Sequence, residues 1–390
     1  MDWMQAERPF TAPRLEKPFP TAQYDVTRLA DFTGLDDIGL PVWAAIRPGA
    51  RSFSQTQGKG LGDGQAQISA LMEAAETALA EQADRLVCRI ATVADLCAEG
   101  VEMLALDSFH KCRNPQLVQA KPLQWLVGHG LHTGAQTLVP LEAVSLDFRV
   151  DGPCDHDSFI LNSVGLAAHW RRDAAVLHGL LEAVEYDAVA LSGVWPGILP
   201  ACPSPNHLPH LDLMGAVELV QAAGLEAVFR DITSDLGLPV VLCWLTHRGR
   251  AGLRVSAGHA CRFGLADAAL AALLEAVQSR MTDISGARED IAAEDYDWHP
   301  APVVNSDQIL TSLVRSSCPK TATAGIAEVL VRFDKAGLPE PVVVDLSKPG
   351  DSVACVAVLC PGLEAGAAKD GFRTGPRARS RLLRHTVGMP

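Results

Sequence analysis

Short apolar runs bounded by glycine or proline alternate along the chain with longer stretches in which alanine and leucine recur every three or four residues. The first pattern predicts strands and the second helices, because a strand buries its apolar side chains over a short span whereas a helix buries one stripe. Strands are expected at LPVWAAIRPG (40–49), AVFRDI (227–232), PVVLCWL (239–245), EVLVRFD (328–334), PVVVDL (341–346) and VACVAVLC (353–360). Helices are expected at 65–84, 171–190, 213–223, 266–282 and 305–316. Ala-rich helices mixed with antiparallel return strands imply an α+β fold, mixed sheets packed with helices, rather than a regular doubly wound sheet. Three regions stand out: a leading segment at 1–50 with six prolines, a main domain at 51–364, and a basic stretch at 365–390.

One short helical motif occurs three times, as LMEAAET (71–77), LLEAVEY (180–186) and LLEAVQS (273–279). Each copy follows a glycine-bearing segment, GKGLG (58–62), NSVGLAA (162–168) or SAGHACRFG (256–264), so the chain carries internal pseudo-repeats. Residues three apart share a helix face, so Glu73 with Glu76, Glu182 with Glu185, and Glu275 with Gln278 each form a two-oxygen claw. A lone pair of this kind signals only that glutamate is a good helix former. Three copies in small apolar surroundings instead suggest facing claws that hold a hard cation such as Mg2+, beside a nucleotide whose phosphates approach glycine backbone N–H groups. GKG at 58–60 lacks the spacing of a Walker loop, so any nucleotide site is of another kind.

Composition narrows the partners. The 390 residues are 48% hydrophobic and 20% charged, as in a globular chain, and carry a formal charge of −13. That charge leaves no global positive field, so general binding to nucleic acid or an anionic membrane is not expected. No apolar run reaches the ~18 residues of a spanning helix. The acidic, proline-bearing start does not read as a signal peptide, and the expectation is a cytoplasmic protein. The ten cysteines include no C-x-x-C pair and read as buried thiols. CPSPNHLPHLD (202–212) places Cys202, His207, His210 and Asp212 close together, but in no common zinc spacing, and reads as a turn. His178 lies one turn before Glu182 and is a candidate base or simply a packed histidine.

The repeated stretches resemble the YcaO family, whose motifs run S-x-x-x-E-x-x-E, then S-N-G-x-A-x-G followed by E-x-x-E-R-D, then E-x-x-Q-x-R. Here they read SALMEAAET (69–77), NSVGLAAHW and LLEAVEYDA within 162–188, and LLEAVQSRMTDISGAREDI (273–291). The resemblance spans roughly residues 50–364. It implies a YcaO-like fold around a central ATP site and ATP-dependent phosphorylation of a backbone amide oxygen in a ribosomally made precursor peptide. The products it allows are a thioamide, the preferred reading, or an azoline; a non-catalytic scaffold is the third alternative. By resemblance, Glu73, Glu76, Glu182 and Glu185 hold Mg2+, while Lys59, Ser69, Asn162, Ser163, Glu275, Gln278 and Arg280 serve ATP, and Asp290 completes the last motif. Thr77, Val164, Tyr186 and His169 depart from the family pattern, costing donors that family members aim at phosphates. The chain ends HTVGMP rather than in a P-x-P-x-P tail, resembling stand-alone members that work with a TfuA-type partner protein; a homodimer is left open. The basic residues Lys369, Arg373, Arg377, Arg379, Arg381 and Arg384 form either a solvated tail, the preferred reading, or a segment folded back toward ATP or a partner.

Overall fold

The computed structural model describes residues 19–193, 210–247, 255–286 and 318–364, together with 289, 366 and 371–386. It is an α+β architecture of three antiparallel sheets and packed helices. Strands β1 (Arg28–Asp31), β2 (Val42–Ile46) and β3 (Gln55–Lys59) form the first sheet and lead into helix α1 (Asp63–Ala80). Strands from both sides of residue 50 thus pair with each other. Next come β4 (Arg89–Ala91), α2 (Val93–Glu99), α3 (Pro115–Val118), β5 (Leu123–Gly130), β6 (Gln136–Pro140), β7 (Leu166–His169) and α4 (Arg172–Gly193). Helix α5 (Leu211–Ala222) precedes β8 (Leu225–Asp231), β9 (Val240–His247) and β10 (Ser256–Cys261), a second three-stranded sheet, which feeds α6 (Leu265–Ser285). Helix α7 (Ala322–Lys335), strands β11 (Val342–Asp345) and β12 (Ala354–Leu359), and helix α8 (Pro376–Thr386) complete the order. The large sheet runs β4-β5-β11-β12-β7, with β6 paired to β5.

The two small sheets repeat one plan, three antiparallel strands whose last strand carries a glycine and is followed by an Ala-rich helix packed upon it. Small side chains make this closeness feasible. Ala66, Ala70 and Ala74 of α1 and Ala268, Ala272 and Ala276 of α6 are buried at these contacts. Among the described residues no helix is long and apolar enough to cross a membrane.

Five of the expected strands form, but 328–334 belongs to α7. A strand would place Val329, Val331 and Phe333 on one face; instead Val329 and Phe333 are buried while Val331 is 50% exposed. Gly325, Val329 and Phe333 are the stripe that faces the core, and the Thr321 hydroxyl accepts the Ala324 N–H to cap the helix start. The helix expected at 305–316 lies outside the described residues.

A buried ion pair ties the leading segment to α1. Arg47, 1% exposed, places Nη2 2.7 Å from Glu81 Oε2 and also donates to the Tyr24 carbonyl and the Thr77 hydroxyl. Glu81→Leu strands the buried guanidinium and is expected to cost about 3–5 kcal/mol in urea unfolding. The double variant Arg47→Met/Glu81→Leu, which removes both charges, is expected to recover most of that loss.

Candidate functional site

Helices α1, α4 and α6 are brought together by glycines at their seats. A Cβ on Gly58 would fall 2.0 Å from the Ala70 nitrogen and 2.2 Å from the Ala66 oxygen. On Gly258 it would fall 2.3 Å from the Ala276 nitrogen and 2.4 Å from the Ala272 oxygen. Strand backbone therefore lies directly on helix backbone at both places. The third seat is Gly165, at φ +87°, whose added Cβ would strike the Val358 oxygen at 2.1 Å, with Gly179 of α4 packed against the Gly165 oxygen.

These seats gather the repeated carboxylates. Glu275 Oε2 lies 3.1 Å from Lys59 Nζ, and its Oε1 accepts the His259 N–H at 3.3 Å. His259 Nδ1 is 2.7 Å from Glu185 Oε1 and 3.7 Å from Glu275 Oε1, while Glu185 Oε2 accepts the Cys261 N–H at 2.9 Å. Glu182 accepts the Gly165 N–H at 3.3 Å, and Glu76 the Ala168 N–H at 2.7 Å. The strand residues after Gly58 and Gly258, Lys59 and His259, supply the cationic side of the cluster.

Electrostatics set Glu76 and Glu182 apart from Glu275. Burial, then the charges of Glu182 and Glu73, push Glu76 well above the usual carboxylate range. Burial and Glu185 lift Glu182 to about 8, against the opposing Gly165 N–H and Lys111. Burial would also raise Glu275, but Lys59 and His259 outweigh it and hold it below its ordinary value. Burial alone would lower His259, yet its bond to Glu185 and the charge of Glu275 raise it to about 9. Glu76 and Glu182 are thus held toward the protonated form, whereas Lys59 and His259 keep Glu275 on the charged side. Among the described residues, Glu185, His259 and Glu275 have ligand atoms within 4.8 Å of one another, as a cation site requires. The all-oxygen, mutually repelling set around Glu76 and Glu182 suits a hard divalent cation.

A family model described as YcaO cyclodehydratase, ATP- and Mg2+-binding, matches residues 57–364. The chain belongs to the YcaO family. A protein of the tfuA 3′ region of Rhizobium leguminosarum bv. trifolii is 31% identical over 383 residues, covering 91% of this chain and 87% of its own. Among solved structures, the YcaO protein of Methanopyrus kandleri bound with AMPPCP and Mg2+ aligns at a TM-score of 0.68 and 23% identity, over 88% of each chain. A heterocyclase in complex with substrate and cofactor aligns at 0.69 and 17% identity over 89% of this chain. The match covers 52% of the heterocyclase, so this YcaO chain spans about half its length.

Lys59, Glu185 and Glu275 meet within this YcaO cluster, and Glu73, Glu76 and Glu182 stand beside it. Ser69 lies one turn before Glu73 on α1, half-buried. Asn162 Oδ1 accepts the Val164 N–H, and Ser163 is exposed. Gln278 donates to the Gln57 carbonyl at 2.9 Å, and Arg280 is engaged by Asp36, Nε to Oδ2 2.8 Å. Asp290 lies outside the described residues, as do Cys202 and His207; His210 accepts the Leu213 N–H as the cap of α5. His178 is exposed on α4, and neighbouring protein and then the charges of Arg262 and Lys59 push it below its ordinary value. Of the departures, Thr77 is buried against Arg47, whereas Tyr186 stacks edge-on to His259 at 5.3 Å between ring centroids.

Sequence reasoning passed over His259 and Lys111. Lys111, 3% exposed, donates to the Val164 carbonyl at 3.2 Å and the Asn162 carbonyl at 3.4 Å. Burial lowers it to about 8, against the raising charge of Glu182. HACRF and HKCR match no repeated motif, and nothing in their spacing ties His259 or Lys111 to the glutamates. The signal available for His259 was its place next to Gly258, matching Lys59 next to Gly58.

The basic stretch is not a solvated tail over its described part. Arg377 of α8 forms a two-bond pair with Asp187, both distances 3.0 Å, and a second with Asp235 at 2.6 and 3.2 Å. Asp187 is fully buried on α4, two residues beyond Glu185. Glu364 accepts the Gly375 and Ala378 N–H groups at the start of α8, and its own N–H donates to Asp187. Arg377→Met leaves Asp187 buried and unpaired, and is expected to cost roughly 3 kcal/mol or more. Limited proteolysis is expected to clip α8 from that variant faster than from the wild type.

Proposed function

We propose that the chain uses ATP and Mg2+ to phosphorylate a backbone amide oxygen in a ribosomally made precursor peptide, so that sulfur replaces the oxygen and a thioamide results. The supporting observation is the carboxylate cluster on α1, α4 and α6, in which burial and neighbouring carboxylates raise Glu76 and Glu182 while Lys59 and His259 hold Glu275 down. Glu73, Glu76, Glu182 and Glu185 would hold the metal, which when bound offsets charge on the transferring phosphoryl group. Lys59 would face phosphate oxygens, with Ser69, Asn162, Ser163, Glu275, Gln278 and Arg280 around the nucleotide. Lys111 fixes the Asn162–Val164 turn from behind through two carbonyls. An amide oxygen is a poor leaving group, and its conversion to a phosphate ester removes that obstacle.

Residues 51–364 form the catalytic unit of this proposal, flanked by 1–50 and 365–390, acting in the cytoplasm. The relative from the tfuA 3′ region supports a TfuA-type partner protein. A second reading, azoline formation, is favoured by the cyclodehydratase description of the family and by the likeness to a heterocyclase. Mass spectrometry of a treated precursor peptide separates the two: exchange of oxygen for sulfur against loss of one water. The first test is calorimetry of Mg2+-ATP with the wild type, Glu73→Ala and Glu182→Ala. Weaker binding in both variants is expected; a folded wild type that binds no nucleotide, with or without partner, would return the chain to a scaffold role.

A further inference from the structure

Behind the Asn162–Val164 turn lies a cavity between α4, the end of β12 and the Phe109–Lys111 segment. Val164, Ala183 and their apolar neighbours make most of its wall, and His110, Lys111, Cys360 and Glu364 supply the polar atoms. His110 is 2% exposed, and neither ring nitrogen has a hydrogen-bond partner in the protein. Buried imidazoles are ordinarily bonded, so this ring is aimed at something the chain itself does not provide. Burial pulls it below its ordinary value, against the raising charge of Glu364, and a neutral imidazole offers one donor and one acceptor.

The carboxylates near the cavity are already committed. Glu364 caps α8 with both oxygens, and Asp187 is paired with Arg377. Lys111 spends two of its three protons on the Asn162 and Val164 carbonyls. The Cys360 thiol is pushed up by burial, so it stays protonated and is a weak donor rather than a nucleophile. What remains is an apolar chamber with an imidazole N–H, an ammonium and an S–H. Such a chamber fits a small, soft, weakly hydrated monoanion better than a phosphate or a carboxylate. At its Lys111 end it abuts the centre, because Lys111 holds the Val164 carbonyl and the next N–H along the chain, that of Gly165, donates to Glu182.

We propose that this cavity is the holding site for the hydrosulfide that replaces the amide oxygen, an assignment that rests on the thioamide reading above. In that reaction hydrosulfide attacks the amide carbon to form the C–S bond. The amide oxygen takes the γ-phosphoryl group of ATP and its C–O bond then breaks. The products are thioamide, ADP and inorganic phosphate, with the hydrosulfide proton passing to phosphate and no oxidant or reductant consumed.

Crystals of the full chain soaked in sodium bromide, then in bromide with sodium hydrosulfide, test the site through bromine anomalous scattering. The expected result is a bromide peak between His110 and Lys111 that hydrosulfide displaces. The His110→Phe variant keeps the ring and loses both nitrogens; it is expected to melt no lower than the wild type and to lose the bromide peak. A cavity without a bromide peak, or with one that hydrosulfide leaves in place, overturns the assignment. Sulfide-dependent ATP turnover on a precursor peptide with no anion in the cavity overturns the holding site alone. Hydrosulfide in the cavity with turnover that ignores sulfide overturns the nucleophile role and the thioamide reading together.

Discussion

Glu182→Gln is expected to make the protein more stable and to remove most of its Mg2+-ATP binding. In the fold, burial and Glu185 raise the Glu182 carboxyl to about 8, so the structure works against a charge at this position. Glutamine keeps an oxygen for the Gly165 N–H and drops the repulsion from Glu185 and Glu275. A gain of about 1 kcal/mol in urea unfolding is expected, as for sites where function opposes stability. The same change removes a hard anionic ligand, and nucleotide affinity in the presence of Mg2+ is expected to fall by on the order of 100-fold. A variant that is destabilised and still binds Mg2+-ATP normally would mean that Glu182 is a structural acid.

Gly258→Ala, like Gly58→Ala, should be among the most damaging single methyl groups at the described glycines. Its Cβ would meet backbone atoms of α6 at 2.3 and 2.4 Å, and backbone cannot swing aside as a side chain can. Relief requires α6 to lift from β10, which separates Glu275 from Lys59 and from the His259 N–H. A loss of roughly 3 kcal/mol or more is expected, with nucleotide binding lost at temperatures where the fold survives. Gly34→Ala, where an added Cβ meets nothing within 4 Å, provides the control and is expected to stay within about 0.5 kcal/mol of wild type. Equal effects of the two substitutions would show that the helix seat is not as tight as these distances require.

The helices bearing the carboxylates were legible because alanine and leucine periodicity, glycine boundaries and the triple motif all agreed. The stretch 328–334 reads as a strand because β-branched residues at 329 and 331 mimic one locally, and only tertiary packing shows Val331 turned outward. The folded-back α8 was illegible for a different reason. Its partners Asp187, Asp235 and Glu364 lie between 11 and 190 residues away from the atoms they hold, and charge composition alone cannot separate a solvated arginine from a buried one. Arg280 shows the same limit in reverse, since its engagement by Asp36 depends on a contact 244 residues distant.

The letters of the repeat also match at a different height from the seats. By motif, Glu73 corresponds to Glu275; by the contact each glycine makes, the residue beside Gly58 is Ser69 and the residue beside Gly258 is Glu275. The motif has slipped one turn along α1, about 6 Å of rise. A cleft built from two like arms would accept a symmetrical guest either way round. Here a hydroxyl on one arm stands level with a carboxylate on the other, and a lysine with a histidine, so an elongated, charged guest has one favoured direction of entry. Divergence by a single helical turn converts a twofold scaffold into a polar one.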